Sequence, residues 1–292
     1  MLSKQRILAI AFSLLAVFIL QGNAMATVYF SETSESRTCN AAIPWYWENA
    51  QGFYRCDGDA YAGSKYLDWH IGSHVASAYT GIDLTSTSIN GKTIYMALNF
   101  KIKRVNGVNV WHNDNDQSFD KFFEFDGSGV RWIYYIGKHE SGCFPTLNGA
   151  NSFTMWLGTD QSYNPGIECV NGYIQNASGY SGNKPYQISY DSWHSAVMEV
   201  KIDTGSAGYI RGYIDGVKVI EYMNIRTASG TPTLLTTKFN GTIAQPAYDV
   251  PEHYRRWDNI IITDNLQDIT NGGYLSGQSG SQTRSNPPVL NP

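Results

Sequence analysis

Between residues 93 and 103 the chain alternates. Ile94, Met96, Leu98, Phe100 and Ile102 are apolar, with Tyr95, Asn99 and Lys101 among the residues between them. Successive side chains of an extended chain point to opposite faces, so this spacing predicts a half-buried β-strand. Phe122 to Asp126 and Val130 to Gly137 flank Gly127-Ser128-Gly129 and read as a hairpin closed by a three-residue glycine loop. The second arm separates Val130, Trp132, Tyr134 and Ile136 from Arg131, Ile133 and Tyr135. In the same way, Ser152 to Gly158 sets Phe153, Met155 and Leu157 against Thr154 and Trp156. Trp193 to Ile202 carries a continuous apolar face of Ala196, Met198, Val200 and Ile202. Tyr209 to Ile214 and Val217 to Tyr222 are joined by Asp215-Gly216, a pair suited to the tightest hairpin turn. Leu234 to Gly241 and Trp257 to Thr263 complete the set of regular strands.

Helical spacing is absent over any useful length, and turn signals recur at short intervals. The class expected is all-β, an antiparallel β-sandwich or jelly roll. Residues 27 to 92 are rich in Tyr, Trp, Gly, Ser and Asp and read as short strands and loops. Residues 271 to 292 turn to Gly, Ser, Gln and Pro, which predicts a disordered tail after a single domain over 27 to 270.

The first 26 residues differ from all this. Lys4 and Arg6 precede an apolar run from Ile7 to Leu20, interrupted by Ser13 alone, and Ala24-Met25-Ala26 supplies the small residues of a cleavage site. A signal peptide is expected, with the mature chain starting at Thr27 and residing in a periplasm or outside the cell. The run is too short for a permanent membrane span, and no later segment qualifies. Cleavage removes Lys4 and Arg6 and no acid, taking the net charge from −4 to −6. Such a balance excludes the basic footprint of a nucleic-acid binder. Four cysteines in an exported chain favour disulfides over a metal site. Of three possible connectivities, Cys39 with Cys56 and Cys143 with Cys169 are preferred, because each ties down a segment without periodicity.

Trp193-His194 with Met198-Glu199-Val200-Lys201, followed by Gly208 and Tyr213-Ile214-Asp215-Gly216-Val217-Lys218-Val219, resembles the strand pair of concanavalin A-like jelly rolls. That group includes laminin-G-like lectin domains and polysaccharide lyase families. Arg256-Trp257-Asp258-Asn259-Ile260 is similar to their closing strand. The resemblance implies a concave sheet that holds glycan. Arg131, Tyr135, Thr154, Trp156, Lys238 and Asn240 are the positions it places there. An arginine can grip a uronate carboxylate with two parallel hydrogen bonds, and aromatic rings offer apolar faces to sugar C–H groups. It also implies a structural calcium near the closing strand, with Asp258 as the matching carboxylate; no cofactor is required beyond that.

A glycosidase of this fold is expected to carry E-x-D-x-E. Here Glu124-Phe125-Asp126-Gly127-Ser128 lacks the third carboxylate, so Glu124 and Asp126 read as a solvated strand edge. A lyase needs a group to neutralise the uronate, a base for the C5 proton and an acid for the leaving oxygen. Arg131 and Gln245 could neutralise, and Tyr135, His139, His253 or Tyr254 could move protons. His139 follows a strand directly, and Gln245 to Arg256 forms a long polar loop of the kind that carries function. The alginate-lyase-like motifs R-x-E-x-R, Q-[IV]-H and Y-x-K-x-G-x-Y are absent; Gln187-Ile188-Ser189 has serine where histidine is needed. The expectation is therefore a secreted protein that recognises an extracellular, acidic polysaccharide. The first alternative is a polysaccharide lyase acting by β-elimination, and the second a surface adhesion or structural protein.

Overall fold

The computed structural model describes residues 26–48, 52–72, 79–110, 119–137, 152–158, 188–243 and 251–276. Two antiparallel sheets face each other. The first runs β13 (Val217–Ile225), β12 (Gly208–Ile214), β11 (His194–Lys201), β6 (Thr93–Arg104), β15 (His253–Thr263), β4 (Tyr66–Ile71) and β3 (Gly52–Arg55). An eighth strand, β1 (Val28–Glu32), pairs with the C-terminal part of β15. The second sheet runs β10 (Ile188–Ser189), β9 (Ser152–Gly158), β8 (Val130–Gly137), β7 (Phe119–Gly127), β14 (Thr233–Ile243), β5 (Tyr79–Ser88) and β2 (Tyr46–Glu48). The expected all-β sandwich is what the chain forms.

The alternating residues meet between the sheets. Met96, Leu98, Phe100 and Ile102 of β6 and Ala196, Met198 and Val200 of β11 pack with Phe123 and Phe125 of β7 and Trp132, Tyr134 and Ile136 of β8 in one buried cluster. Burying each such side chain contributes roughly 1.5–3 kcal/mol. The intervening positions of β6 are buried too, for a different reason. A short helix, α1 (Leu266–Asn271), and the residues after it lie on the outer face of the eight-stranded sheet, where Ile269 and Tyr274 pack with Tyr95, Ala97, Val197 and Ile261. The ordered chain thus extends beyond residue 270, because Tyr274 needs that apolar surface; its exposure is 2%. The remainder of the expected tail lies outside the described residues, as do the leader up to residue 25 and the Cys143 and Cys169 pair.

Turn chemistry sets the registers. Asp215 and Gly216 both take positive φ, 50° and 76°, as the two-residue turn between β12 and β13 requires. The β7–β8 loop is shorter than expected. Gly127 pairs with Val130, which leaves Ser128 and Gly129 as a two-residue turn. That turn is pressed against the chain before β14, where Ser229 donates to the Gly129 carbonyl at 2.7 Å and Thr233 to that of Ser128 at 3.1 Å. A Cβ on Gly129 would run into the Ser229 carbonyl oxygen. Cys39 and Cys56 form the expected disulfide, with Cα atoms 5.7 Å apart.

Candidate functional site

Since Phe123, Phe125, Trp132 and Tyr134 face the core, Glu124 and Asp126 of β7 and Arg131 and Ile133 of β8 stand on the outer face of the seven-stranded sheet, while Phe122, beside a bulge, also turns to the core. Register brings Glu124 opposite Ile133 and Asp126 opposite Arg131. Arg131 donates to Glu124 Oε2 from Nη2 at 3.0 Å and from Nε at 3.2 Å, and its Nε lies 3.8 Å from Asp126 Oδ2. The Glu124 side chain is 1% exposed and that of Arg131 20%. This corrects the reading of Glu124 as a solvated strand edge. β7 is an interior strand between β8 and β14, and the carboxylate is buried with a guanidinium as counter-ion. Arg131 is accordingly a fixed, charge-balanced donor rather than a spare cation.

The other positions expected on this face are located by register. Tyr135 pairs with Trp156 across β8 and β9, Thr154 with Gly137, Lys238 with Glu124 across β14 and β7, and Asn240 with Tyr79 of β5. Arg131, Tyr135, Trp156, Thr154, Lys238 and Asn240 therefore belong to one sheet. Gln245 and His139 lie outside the described residues.

His253 and Tyr254 belong elsewhere. Residues 253–256, expected in a loop, open β15 of the eight-stranded sheet, where His253 pairs with Arg104 and Tyr254 with Lys103. His253 is fully buried. Its Nδ1 bonds to the Pro251 carbonyl at 2.9 Å and its Nε2 accepts from Arg255 Nε at 3.2 Å. Burial, reinforced by the Arg255 charge, pushes its pKa down to about 3. Buried, with a partner on each ring nitrogen, it is a neutral structural residue. Tyr254 points outward and stacks on His70, ring centroids 4.8 Å apart and planes inclined by 23°.

Asp258 does not fit the calcium that the resemblance implies. Its Oδ2 accepts from the Tyr61 and Ala62 N–H groups, both at 3.1 Å, and its Oδ1 from Asn259 N–H at 2.9 Å. A cation would have to displace these donors. Calcium takes six or more oxygens, and among the described residues no three His, Cys, Asp or Glu side chains gather to hold a metal. Burial raises the Asp258 pKa well above the usual carboxylate range, against the lowering effect of the three N–H groups.

One constellation escaped the sequence. His194 Nδ1 lies 2.7 Å from Asp215 Oδ2, and its Nε2 lies 3.1 Å from Ser189 Oγ. The order serine, histidine, aspartate matches a hydrolytic triad in distance. However, Nε2 is also 3.1 Å from the Ser189 carbonyl oxygen. Nε2 is thus no nearer the hydroxyl than the carbonyl of the same residue, and is not aimed at the serine hydroxyl alone. We assign His194 a structural part: it ties β10 of one sheet to the β12–β13 turn of the other, while Asp215 Oδ1 accepts from Ser195 N–H at 2.9 Å.

No family model and no curated protein matches the chain in sequence. Solved structures match it in fold. The endo-β-1,4-glucuronan lyase of the fungus Trichoderma reesei superposes with a TM-score of 0.50 at 11% identity, over 82% of this chain and 97% of the lyase. A variant of alginate lyase Aly36B bound to an alginate trisaccharide superposes with a TM-score of 0.52 at 12% identity, over 80% and 96%. The chain has the concanavalin A-like jelly-roll fold on which these polysaccharide lyases are built.

Proposed function

We propose that the protein is exported and recognises a uronate-containing extracellular polysaccharide, with the outer face of the seven-stranded sheet as a contact surface. The observation that carries this is Arg131, a partly exposed guanidinium locked by the buried Glu124 on an interior stretch of that sheet. A donor fixed in advance loses little conformational freedom when it meets a sugar hydroxyl or carboxylate. In register, Tyr135 with Trp156 and Lys238 with Glu124 bring aromatic and polar residue types of the kind sugars need onto adjacent strands of that sheet. Glucuronan and alginate, named for the two lyases of this fold, are both acidic polymers and set the class. Export agrees with the Cys39–Cys56 disulfide, which persists in oxidising compartments. No helix among the described residues is long and apolar enough to cross a membrane.

Cleavage by β-elimination is the second reading, favoured by near-complete coverage of the two lyases. Recognition without cleavage takes precedence because the described histidines, His70, His194 and His253, all stand on strands of the eight-stranded sheet, away from Arg131. The test is incubation of the mature protein with polyglucuronate and alginate, following both the ultraviolet absorbance of unsaturated product and retardation in polymer-containing gels. Retardation without product is expected. Product formation would establish the lyase instead, and neither signal would overturn both.

A further inference from the structure

The surface opposite the proposed glycan face carries a lysine, Lys103, with no hydrogen bond or ion pair among the described residues. Lys103, Tyr254 and His70 occupy one register row across β6, β15 and β4. Neighbouring strands stand about 4.8 Å apart, so the row spans about 10 Å. His253, next to Tyr254, is buried and Tyr254 is not; Lys101, two residues before Lys103, bonds outward to Asp59 at 2.6 Å. Alternation therefore puts Lys103, Tyr254 and His70 together on the outer face of the eight-stranded sheet.

Two properties distinguish this row. The Tyr254–His70 stack leaves one face of each ring outside the pair, and the His70 side chain is 47% exposed. Beneath it the next row is a closed ion network. Arg256 donates from Nε to Asp68 at 3.0 Å and from Nη1 to Asp59, and its guanidinium lies 4.8 Å from the Tyr66 ring and 6.0 Å from that of Tyr254. The second property is the lysine itself. Every other lysine or arginine whose side chain is described has a hydrogen bond or ion pair, and Lys103 has none among the described residues. Arg131 already has Glu124 as its counter-ion, and His70 Nε2 lies 2.5 Å from Glu252 Oε1.

We infer that the row of Lys103, Tyr254 and His70 is a second contact strip for an acidic polysaccharide, with Lys103 taking a uronate carboxylate and the outer face of the stacked rings taking a sugar ring. The inference rests on the reading that the partner is a polyuronate. A chain whose mature net charge is −6 repels such a polymer at long range, so a local cation without a carboxylate partner favours contact beyond what the charge-balanced Arg131 face supplies. Lys103 is one such cation, in the same register row as the stacked rings, with the Glu252 carboxylate bonded to His70 at the far end of that row.

The test is affinity electrophoresis of the full mature chain in gels containing polyglucuronate or an uncharged β-glucan. Lys103→Glu and Tyr254→Ala are each run beside wild type, with thermal melting of every variant. Lys103→Glu should leave the melting temperature unchanged and weaken retardation by polyglucuronate roughly tenfold, the loss of one charge-assisted contact. Retardation by the neutral glucan should be unaffected by that change. Tyr254→Ala should weaken both. If wild type is retarded and Lys103→Glu is retarded equally, the strip is refuted and the Arg131 face stands. A loss of equal size on both polymers would refute the carboxylate contact. If wild type is retarded by neither polymer, the polysaccharide reading itself fails, and the strip with it.

Discussion

Arg131 reaches Glu124 Oε2 through Nη2 at 3.0 Å and Nε at 3.2 Å, on the face of the seven-stranded sheet that looks away from the core. Removing Arg131 takes its two hydrogen bonds from the buried Glu124 carboxylate, which costs on the order of 1.5–3 kcal/mol. Arg131→Ala should therefore destabilise strongly by urea denaturation. The double variant Arg131→Met with Glu124→Gln should recover much of the loss, because it removes both charges at similar volume. Equal stability of the single and double variants would show that the pair is not coupled.

His194 joins the two sheets through Ser189 and Asp215. Asp215→Asn keeps a residue tolerant of positive φ but removes the charge, and His194→Ala removes the tie itself. Each should destabilise by about 1.5–3 kcal/mol, the value of a hydrogen bond to a charged group. The double variant should cost little more than either single one. A serine-directed phosphonate should label wild type no faster than Ser189→Ala; selective labelling at Ser189 would make the trio catalytic and contradict the structural assignment.

His253 predicts an acid-labile fold. A histidine free in the unfolded chain titrates near 6.5, while the buried ring titrates at about 3. Between those values the unfolded state binds the extra proton, so stability from this group is complete above pH 6.5 and declines as pH falls toward 3, by about 1.4 kcal/mol per pH unit at most. Replacing it with His253→Asn should flatten the dependence of the urea midpoint on pH in that window. An unchanged slope would mean that the ring is not buried in its neutral form.

Cys39 and Cys56 are 17 residues apart, and closing a loop of that size should stabilise by about 3 kcal/mol in the chain-entropy model. Cys39→Ser with Cys56→Ser should lower the melting temperature under oxidising conditions and leave it insensitive to dithiothreitol. A wild-type protein insensitive to the reductant would contradict this.

The regular strands were legible because the two-residue period survives wherever one face is apolar. Ile94 to Ile102, Ala196 to Ile202 and the Asp215-Gly216 hairpin all follow it. The start of β15 was not legible, because Arg255 and Arg256 occupy buried positions there, 0% and 4% exposed, and two adjacent arginines read as loop. The burial of Arg256 depends on a partner far along the chain, Asp68. Likewise the Glu124–Arg131 pair depends on the turn between β7 and β8. With a three-residue loop Glu124 and Arg131 would meet in a different register; the observed two-residue turn sets Asp126 opposite Arg131 and brings the guanidinium back onto Glu124. The Ser189, His194 and Asp215 cluster joins three strand ends and has no spacing that a sequence displays.

The most direct measurement is calorimetric titration of the mature protein with a glucuronate oligosaccharide and with an uncharged oligosaccharide of equal length. Tighter binding of the charged ligand, weakened by rising salt and without release of unsaturated product, is the result predicted. Equal affinity for both ligands, or no heat from either, would contradict recognition of an acidic polysaccharide.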